Sequence, residues 1–340
     1  MKLINPLLAL AALTALTGCT SSDVIDDVTH SPANRIGFNT TVSVGSRAVT
    51  NASFNKFFVF ATYTVPTQTG PVNVFYNELV SKGTDGKWTY DGDRYWIPEG
   101  SYDFYAYSCE NEELDANVTG THALNGRVLN LNSVRSDANH QHDLLFAKVT
   151  GQTRTQVAGQ TPAPVAFKFA HILARVRFSF RSSFPEGYKV SVSNVRLDNF
   201  RDVGTFKGET ETWEDVDRST TGPQMTLRLP STSTDITSAP GQTEPCYVIP
   251  FSYAQANVRL IFDVNVTKNG EAVLGRTITA SWIPVWKAGH SINNEITING
   301  GRTGLDKISF TASIVGATGS DADGWNEDTG TLNGLQFSTN

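Results

Sequence analysis

The side chains best spaced for chemistry in this 340-residue chain are His140 and His142, which flank Gln141. On an extended strand, residues two apart share a face, so both imidazoles would reach a single metal ion. No third ligand is evident beyond Asp143, which would point to the opposite face of such a strand. The favoured reading is a polar loop leading into Leu144-Leu145-Phe146, with no metal bound. No Gly-x-Ser-x-Gly elbow, phosphate-binding glycine loop, His-Glu-x-x-His or Cys-x-x-Cys occurs in the sequence. The carboxylates show no spacing that singles out an acid–base pair. Trp88, Tyr90, Tyr95 and Trp96 form a cluster of the type that stacks on sugar rings, though such rings more often pair inside a β-structure. These residues argue against an enzyme, and no cofactor is expected.

Cysteine is the remaining reactive type, with three in the chain. Cys109 and Cys246 lie far apart in sequence and read as two buried thiols, since spacing alone cannot establish a disulfide. Cys19 has a different setting. Met1-Lys2 supplies a positive start, and Leu3 to Leu16 is apolar apart from Asn5, Pro6 and Thr14. This is the layout of a secretory signal, too short to span a bilayer as a stable helix. Leu16-Thr17-Gly18-Cys19 resembles a bacterial lipobox. That resemblance implies a cut between Gly18 and Cys19 and a diacylglycerol on the Cys19 thiol. Residues 1–18 are then a lipoprotein signal peptide. Residues 19–35, polar and carrying Asp23, Asp26 and Asp27, form a flexible tether. No other segment is apolar and long enough to cross a membrane, so the rest is expected to be soluble and held by its lipid.

The composition suits an exported β-protein. Twenty-eight glycines, fourteen prolines and 18% charged residues describe turns and solvated strands. The formal charge is −6; loss of Lys2 with the signal leaves 26 basic against 33 acidic residues, or −7. That mild acidity argues against nucleic acid as a partner. Ile36-Gly37-Phe38-Asn39-Thr40-Thr41-Val42-Ser43-Val44 alternates as a half-buried strand, while Phe57 to Tyr63 is denser and reads as a central one. Further strands are expected at Val72–Tyr76, Trp88–Tyr90, Tyr102–Tyr107 and His142–Ala147. After a linker at 150–164 they resume at Val165–Phe169, Ala174–Phe180, Val190–Leu197, Met225–Leu229 and Cys246–Ile249. Val258–Val266 turns through Lys268-Asn269-Gly270 into Val273–Ala280, and Ile292–Ile298 and Ile308–Ile314 close the series. No window forms a convincing amphipathic helix. The pattern predicts an all-β fold of two tandem antiparallel β-sandwiches, residues 36–160 and 161–340, the second ending in a polar tail.

Several of these strands resemble a known series. Tyr95-Trp96-Ile97-Pro98-Glu99-Gly100, Tyr102-Asp103-Phe104-Tyr105-Ala106-Tyr107 and His142-Asp143-Leu144-Leu145-Phe146-Ala147 resemble the first domain of fimbrillin-like (Mfa-like) lipoproteins of Bacteroides-type bacteria. Val165 to Val176, Tyr247-Val248-Ile249-Pro250, Trp286 to Ile292 and Ile308 to Ala312 resemble the second. The resemblance covers residues 36 to 325 and implies two transthyretin-like sandwiches. It also makes His142 and His171 packing positions. It further implies a type V pilus subunit, carried to the outer membrane as a lipoprotein, exposed on the surface and found in the fimbrium. Its partners are then other pilus subunits, with a host or bacterial surface ligand as a further possibility. The alternative is a lipoprotein on the same scaffold that binds glycan or host ligands without polymerising.

In polymerising members of that family, an arginine-specific protease removes the first strand, and the emptied groove accepts a strand from the next subunit. Here the removable strand would be the one carrying Ile36, Phe38, Val42 and Val44. A cut between Arg47 and Ala48 would release strand and lipid together, whereas a cut after Arg35 would release the lipid alone. Arg47 is therefore favoured. The tail from Asn326 to Asn340 carries only Leu332, Leu335 and Phe337 among polar residues, a weak pattern for a donated strand. A tip or accessory subunit, which accepts a strand without donating one, suits it better than a stalk subunit.

Overall fold

The computed structural model describes residues 32–42, 53–65, 67, 69–116, 119–154, 161–217, 224–230, 234–250, 258–300, 309–315, 326, 327 and 329–339. Within them the chain is almost entirely extended, with a single 3-10 turn at Pro32–Asn34. Four sheets account for the strands.

The first sheet has seven strands in the order β1 (Phe38–Val42), β9 (Val165–His171), β8 (Leu144–Thr153), β5 (Ser101–Cys109), β2 (Lys56–Thr64), β3 (Val72–Lys82) and β4 (Trp88–Thr89). Its central members are apolar on both faces, because both faces are covered. Phe57, Val59, Ala61, Phe104, Ala106 and Phe167 fill one side. Phe58, Phe60, Tyr105, Tyr107, Leu144 and Phe146 fill the other, against a second sheet ordered β13 (Thr212–Asp217), β12 (Val203–Lys207), β7 (Val128–Arg135) and β6 (Thr121–Asn125). The first sheet also curls on itself. The residues just before β1 meet those just after β4 through a bridge between Arg35 and Tyr95, with Ile36 N–H donating to Arg94 O (2.8 Å) and Trp96 N–H to Asn34 O (3.0 Å).

The other two sheets face each other across a separate core that includes Phe178, Phe180, Val192, Phe262, Trp282 and Ile296. One runs β15 (Gly241–Gln242), β10 (Ala174–Ser182), β19 (His290–Asn299), β20 (Ser309–Val315), β22 (Gly330–Thr331), with β16 (Cys246–Val248) on β10 and β21 (Asn326–Glu327) on β19. Its opposite number runs β14 (Met225–Thr226), β11 (Tyr188–Asp198), β17 (Val258–Lys268), β18 (Glu271–Ile283), β23 (Asn333–Thr339). The expected turn between β17 and β18 places Asn269 and Gly270 at φ 51° and 89°, the two left-handed positions that a tight hairpin requires. Most pairings are antiparallel, but β1 with β9, β10 with β19 and β19 with β21 run parallel.

The division expected at residue 160 does not coincide with these sheets. β9 belongs to the first sheet, because its strictly alternating Val165, Phe167 and Phe169 complete the core on the concave side. β8 extends into the expected linker, to Thr153. The chain passes from the first pair of sheets to the second at Ile172-Leu173, and then sends β12 and β13 back to finish the second sheet. Tyr247 and Ile249 also pack into that first unit. Polar ties fasten the junction. Ser136 Oγ donates to Tyr247 O (2.6 Å), Tyr247 N–H to Gln141 Oε1 (2.7 Å) and Trp213 Nε1–H to Ile172 O (2.7 Å).

This interleaving has a direct consequence for truncation. Residues 32–160 expressed alone lack β9, β12 and β13, and they should show no cooperative thermal transition by near-ultraviolet circular dichroism. A sigmoidal transition in that fragment would contradict the assignment of those strands to the first unit.

Candidate functional site

The two candidate metal ligands, His140 and His142, do not face a common site. His140 and His142 sit in the loop before β8 rather than on a strand. His140 Nδ1 lies 2.6 Å from Asp137 Oδ1, while His142 Nδ1 lies 3.7 Å from Glu110 Oε2 and helps hold that carboxyl below its usual range. Asp143 is fully buried and pairs with His171, Oδ1 to Nδ1 2.8 Å, in keeping with a packing role for His171. Among the described residues no group of three His, Cys, Asp or Glu side chains is arranged to hold a metal ion. The aromatic cluster is likewise spent on packing. Tyr90 and Trp96 are buried, and Trp88 rests against Phe54 and Phe57. Cys109 and Cys246 are buried and unbridged, and burial pushes both thiols up to about 12.

What the structure does assemble is a seat for the first strand. β1 forms a parallel ladder at the edge of the first sheet, with Phe38 opposite Val165, Thr40 opposite Phe167 and Val42 opposite Phe169. Ile36, Phe38 and Val42 are buried, and Asn39 and Thr41 between them are exposed. Phe38 reaches the middle of the core. Its ring lies 5.5–6.3 Å from those of Phe57, Phe75, Tyr90, Phe104 and Phe167, edge-on to four and stacked on the fifth. At about 2 kcal/mol for each buried apolar side chain, Ile36, Phe38 and Val42 together supply about 6 kcal/mol of burial.

The upstream end of the strand is fixed by polar contacts. Arg35 donates from Nη2 to Tyr90 O (3.1 Å) and Gly92 O (2.8 Å). Its Nε lies 3.0 Å from Asp93 Oδ1, and its guanidinium sits 4.5 Å from the centre of the Tyr90 ring. Tyr90 Oη donates to Ile36 O (2.8 Å), and burial raises that phenol above its ordinary value, partly offset by Arg35, so it is a protonated donor at neutral pH. Asn34 is buried and accepts at Oδ1 from Arg154 Nη2 (2.7 Å). Arg35 is thus a structural clasp. Gly18, Cys19, Val44, Arg47 and Ala48 lie outside the described residues.

The tail has more order than its composition suggests. β23 pairs antiparallel with β18, Phe337 opposite Ala280, and Leu332, Leu335 and Phe337 pack on the core of the second unit. Phe337 stacks on Phe310 at 5.4 Å. Leu335-x-Phe337 repeats the aliphatic–x–Phe spacing of Ile36-x-Phe38, a period-two signal available in the sequence.

Two measurements check this site. Phe38→Ala should cost about 3–5 kcal/mol in urea unfolding, against less than about 0.5 kcal/mol for exposed Asn39→Ala, and equal effects would remove Phe38 from its central position. The folded protein should resist iodoacetamide at pH 8 at both Cys109 and Cys246, and react at both once unfolded.

The fimbrillin-like family matches residues 41–315. Similar solved structures include candidate cell adhesion proteins from Parabacteroides distasonis (10% identity, 91% of this chain and 96% of that one, TM-score 0.48) and Bacteroides ovatus (15%, 82% and 95%, 0.46). The fimbrial anchor protein Mfa2 from Porphyromonas gingivalis is another (10%, 83% and 96%, 0.35). No curated protein matches. The match spans most of the chain and both pairs of sheets: the protein belongs to the fimbrillin-like family, whose members are structural proteins of fimbriae rather than enzymes.

Proposed function

We propose that this protein is a pilus subunit exported as a lipoprotein on Cys19, from which a protease removes the first strand so that another subunit's strand can take its place. The observation that carries this reading is the seat of Phe38. A single edge strand fills a groove lined by five aromatic rings, and removing it would expose an apolar surface that demands a partner. The cut is hydrolysis of the Arg47–Ala48 amide. Water adds across the bond, leaving a carboxylate on Arg47 and an amine on Ala48. Arg35 is the alternative, but its guanidinium is engaged by Tyr90, Gly92 and Asp93, which supports Arg47 as the accessible site.

A tip or accessory position fits best. The acceptor groove is well built, whereas the tail strand β23 is short and packed on its own core. The subunit then sits in the fimbrium at the outer surface, with other pilus subunits as its partners.

N-terminal mapping of native protein, from sheared surface material and from membranes, tests this. Chains starting at Ala48 are expected in detergent-stable surface assemblies. Arg47→Ala should abolish that start and the assemblies, while Arg35→Ala should leave the start unchanged. Only acylated Cys19 chains, confined to membranes, would make the protein a tethered anchor or binding protein instead.

A further inference from the structure

The second sheet has a far face that the first unit does not use. Leu129, Leu131 and Phe206 point into the core, so Asn130 and Lys207, which alternate with them, point outward, as Glu214 does beside Trp213. These three side chains, with Asn125, Glu209 and Thr210, line an open cleft of 280 Å³ on that face. A turn folded over its own sheet builds it. Gly208 opens the turn between β12 and β13, and its N–H donates to Leu129 O (3.1 Å) and to Asn130 Oδ1 (3.2 Å). So close an approach requires glycine, because a Cβ there would lie 2.0 Å from Leu129 O. Lys148 Nζ braces the turn, donating to Glu209 O (2.6 Å) and pairing with Glu211 (3.3 Å).

Under the turn, Asn130 is only 8% exposed although it faces away from the core. The Gly208 N–H needs an acceptor, which sets the Asn130 amide with Oδ1 on that side and leaves its two Nδ2 protons for a ligand. The Asn125 amide and the Thr210 hydroxyl both donate and accept. Glu209 and Glu214 only accept, and Lys207 Nζ, 3.8 Å from Glu214 Oε2, only donates. One ammonium against two carboxylates leaves the cleft at −1, which disfavours an anion.

We infer that this cleft is a binding site for a neutral sugar residue, held by hydrogen bonds. Sugar hydroxyls donate and accept at once, and so match a wall that mixes amide, hydroxyl, carboxylate and ammonium groups. No aromatic side chain among the described residues lines the cleft, so a single sugar is held weakly. Firm attachment then comes from many copies, repeated along a filament or along a polysaccharide. This goes beyond the proposed pilus role and needs no cut at Arg47. The first strand packs on the opposite face of the first sheet, so its removal leaves the cleft as it is.

The test uses the uncut mature chain with Cys19→Ser for solubility. Its probes are the methyl glycosides of mannose, galactose and N-acetylglucosamine, with glucuronic acid as the acidic comparison. In proton–nitrogen NMR spectra, at least one neutral glycoside should shift the side-chain amides of Asn125 and Asn130, and glucuronic acid should shift neither. Asn130→Asp keeps the oxygen that Gly208 needs and removes both donors, so it should weaken that glycoside about tenfold. Asn39→Ala should leave binding unchanged. Immobilised host glycans and bacterial polysaccharides bearing the same sugar then identify its source, and retention on either supports the site. Unmoved amides with every neutral glycoside, an equal response to glucuronic acid, or binding indifferent to Asn130→Asp would each overturn the inference and leave the proposed pilus role standing. Native chains that never start at Ala48 would remove that role and leave the sugar result untouched.

Discussion

Burial of the Phe38 ring ties together parts of the first unit that are otherwise distant in sequence. Its five aromatic neighbours come from β2, β3, β5, β9 and the segment after β4, so one side chain touches nearly every element of the curled sheet. The backbone around it closes the curl, because residues 34–36 bond to 94–96 while residues 38–42 bond to β9. Without this segment the two edges of the sheet have no common partner, and both the groove and its occupant are defined by the same few residues. Polar contacts set where the strand begins, and apolar ones set how firmly it stays.

Much of the fold was legible because period-two alternation is a direct record of which face of a strand is buried. β9, β17 and β19 follow it closely, and the Asn269-Gly270 turn is marked by the residues that tolerate left-handed backbone. The longer strands that escaped notice include β6, β7, β12 and β13. Thr121–Asn125 and Thr212–Asp217 bear few apolar side chains, since the sheet they form covers the first with one face and meets water with the other. Their pairing also joins residues about seventy positions apart, which no local pattern encodes.

The site was legible in part. Ile36, Phe38 and Val42 announced a half-buried strand, but its parallel register on β9 and the clasp at Arg35 depend on contacts more than fifty residues away. The histidine pair is a different case. His140 and His142 share a face only if the chain is extended there, and the loop turns each imidazole toward a different carboxylate, Asp137 and Glu110. Phe337 and Leu335 show that a tail poor in apolar residues still forms a strand when an edge such as β18 supplies its hydrogen bonds.

The parallel pairing of β1 with β9 has a mechanical meaning. β9 continues through Ile172-Leu173 directly into β10, which is itself zipped over eight residues to β19 in the heart of the second unit. Tension on a strand seated in the groove therefore runs along the strand axis into a line of chain that crosses the whole molecule. The evenly spaced, slanted hydrogen bonds of a parallel pair are loaded together by that pull, in shear, rather than opened one at a time like a zip. The buried Asp143–His171 pair, 2.8 Å apart beside the crossing, stiffens the point where the load changes sheets. The strand path thus carries a pull on the edge of the first unit directly into the second.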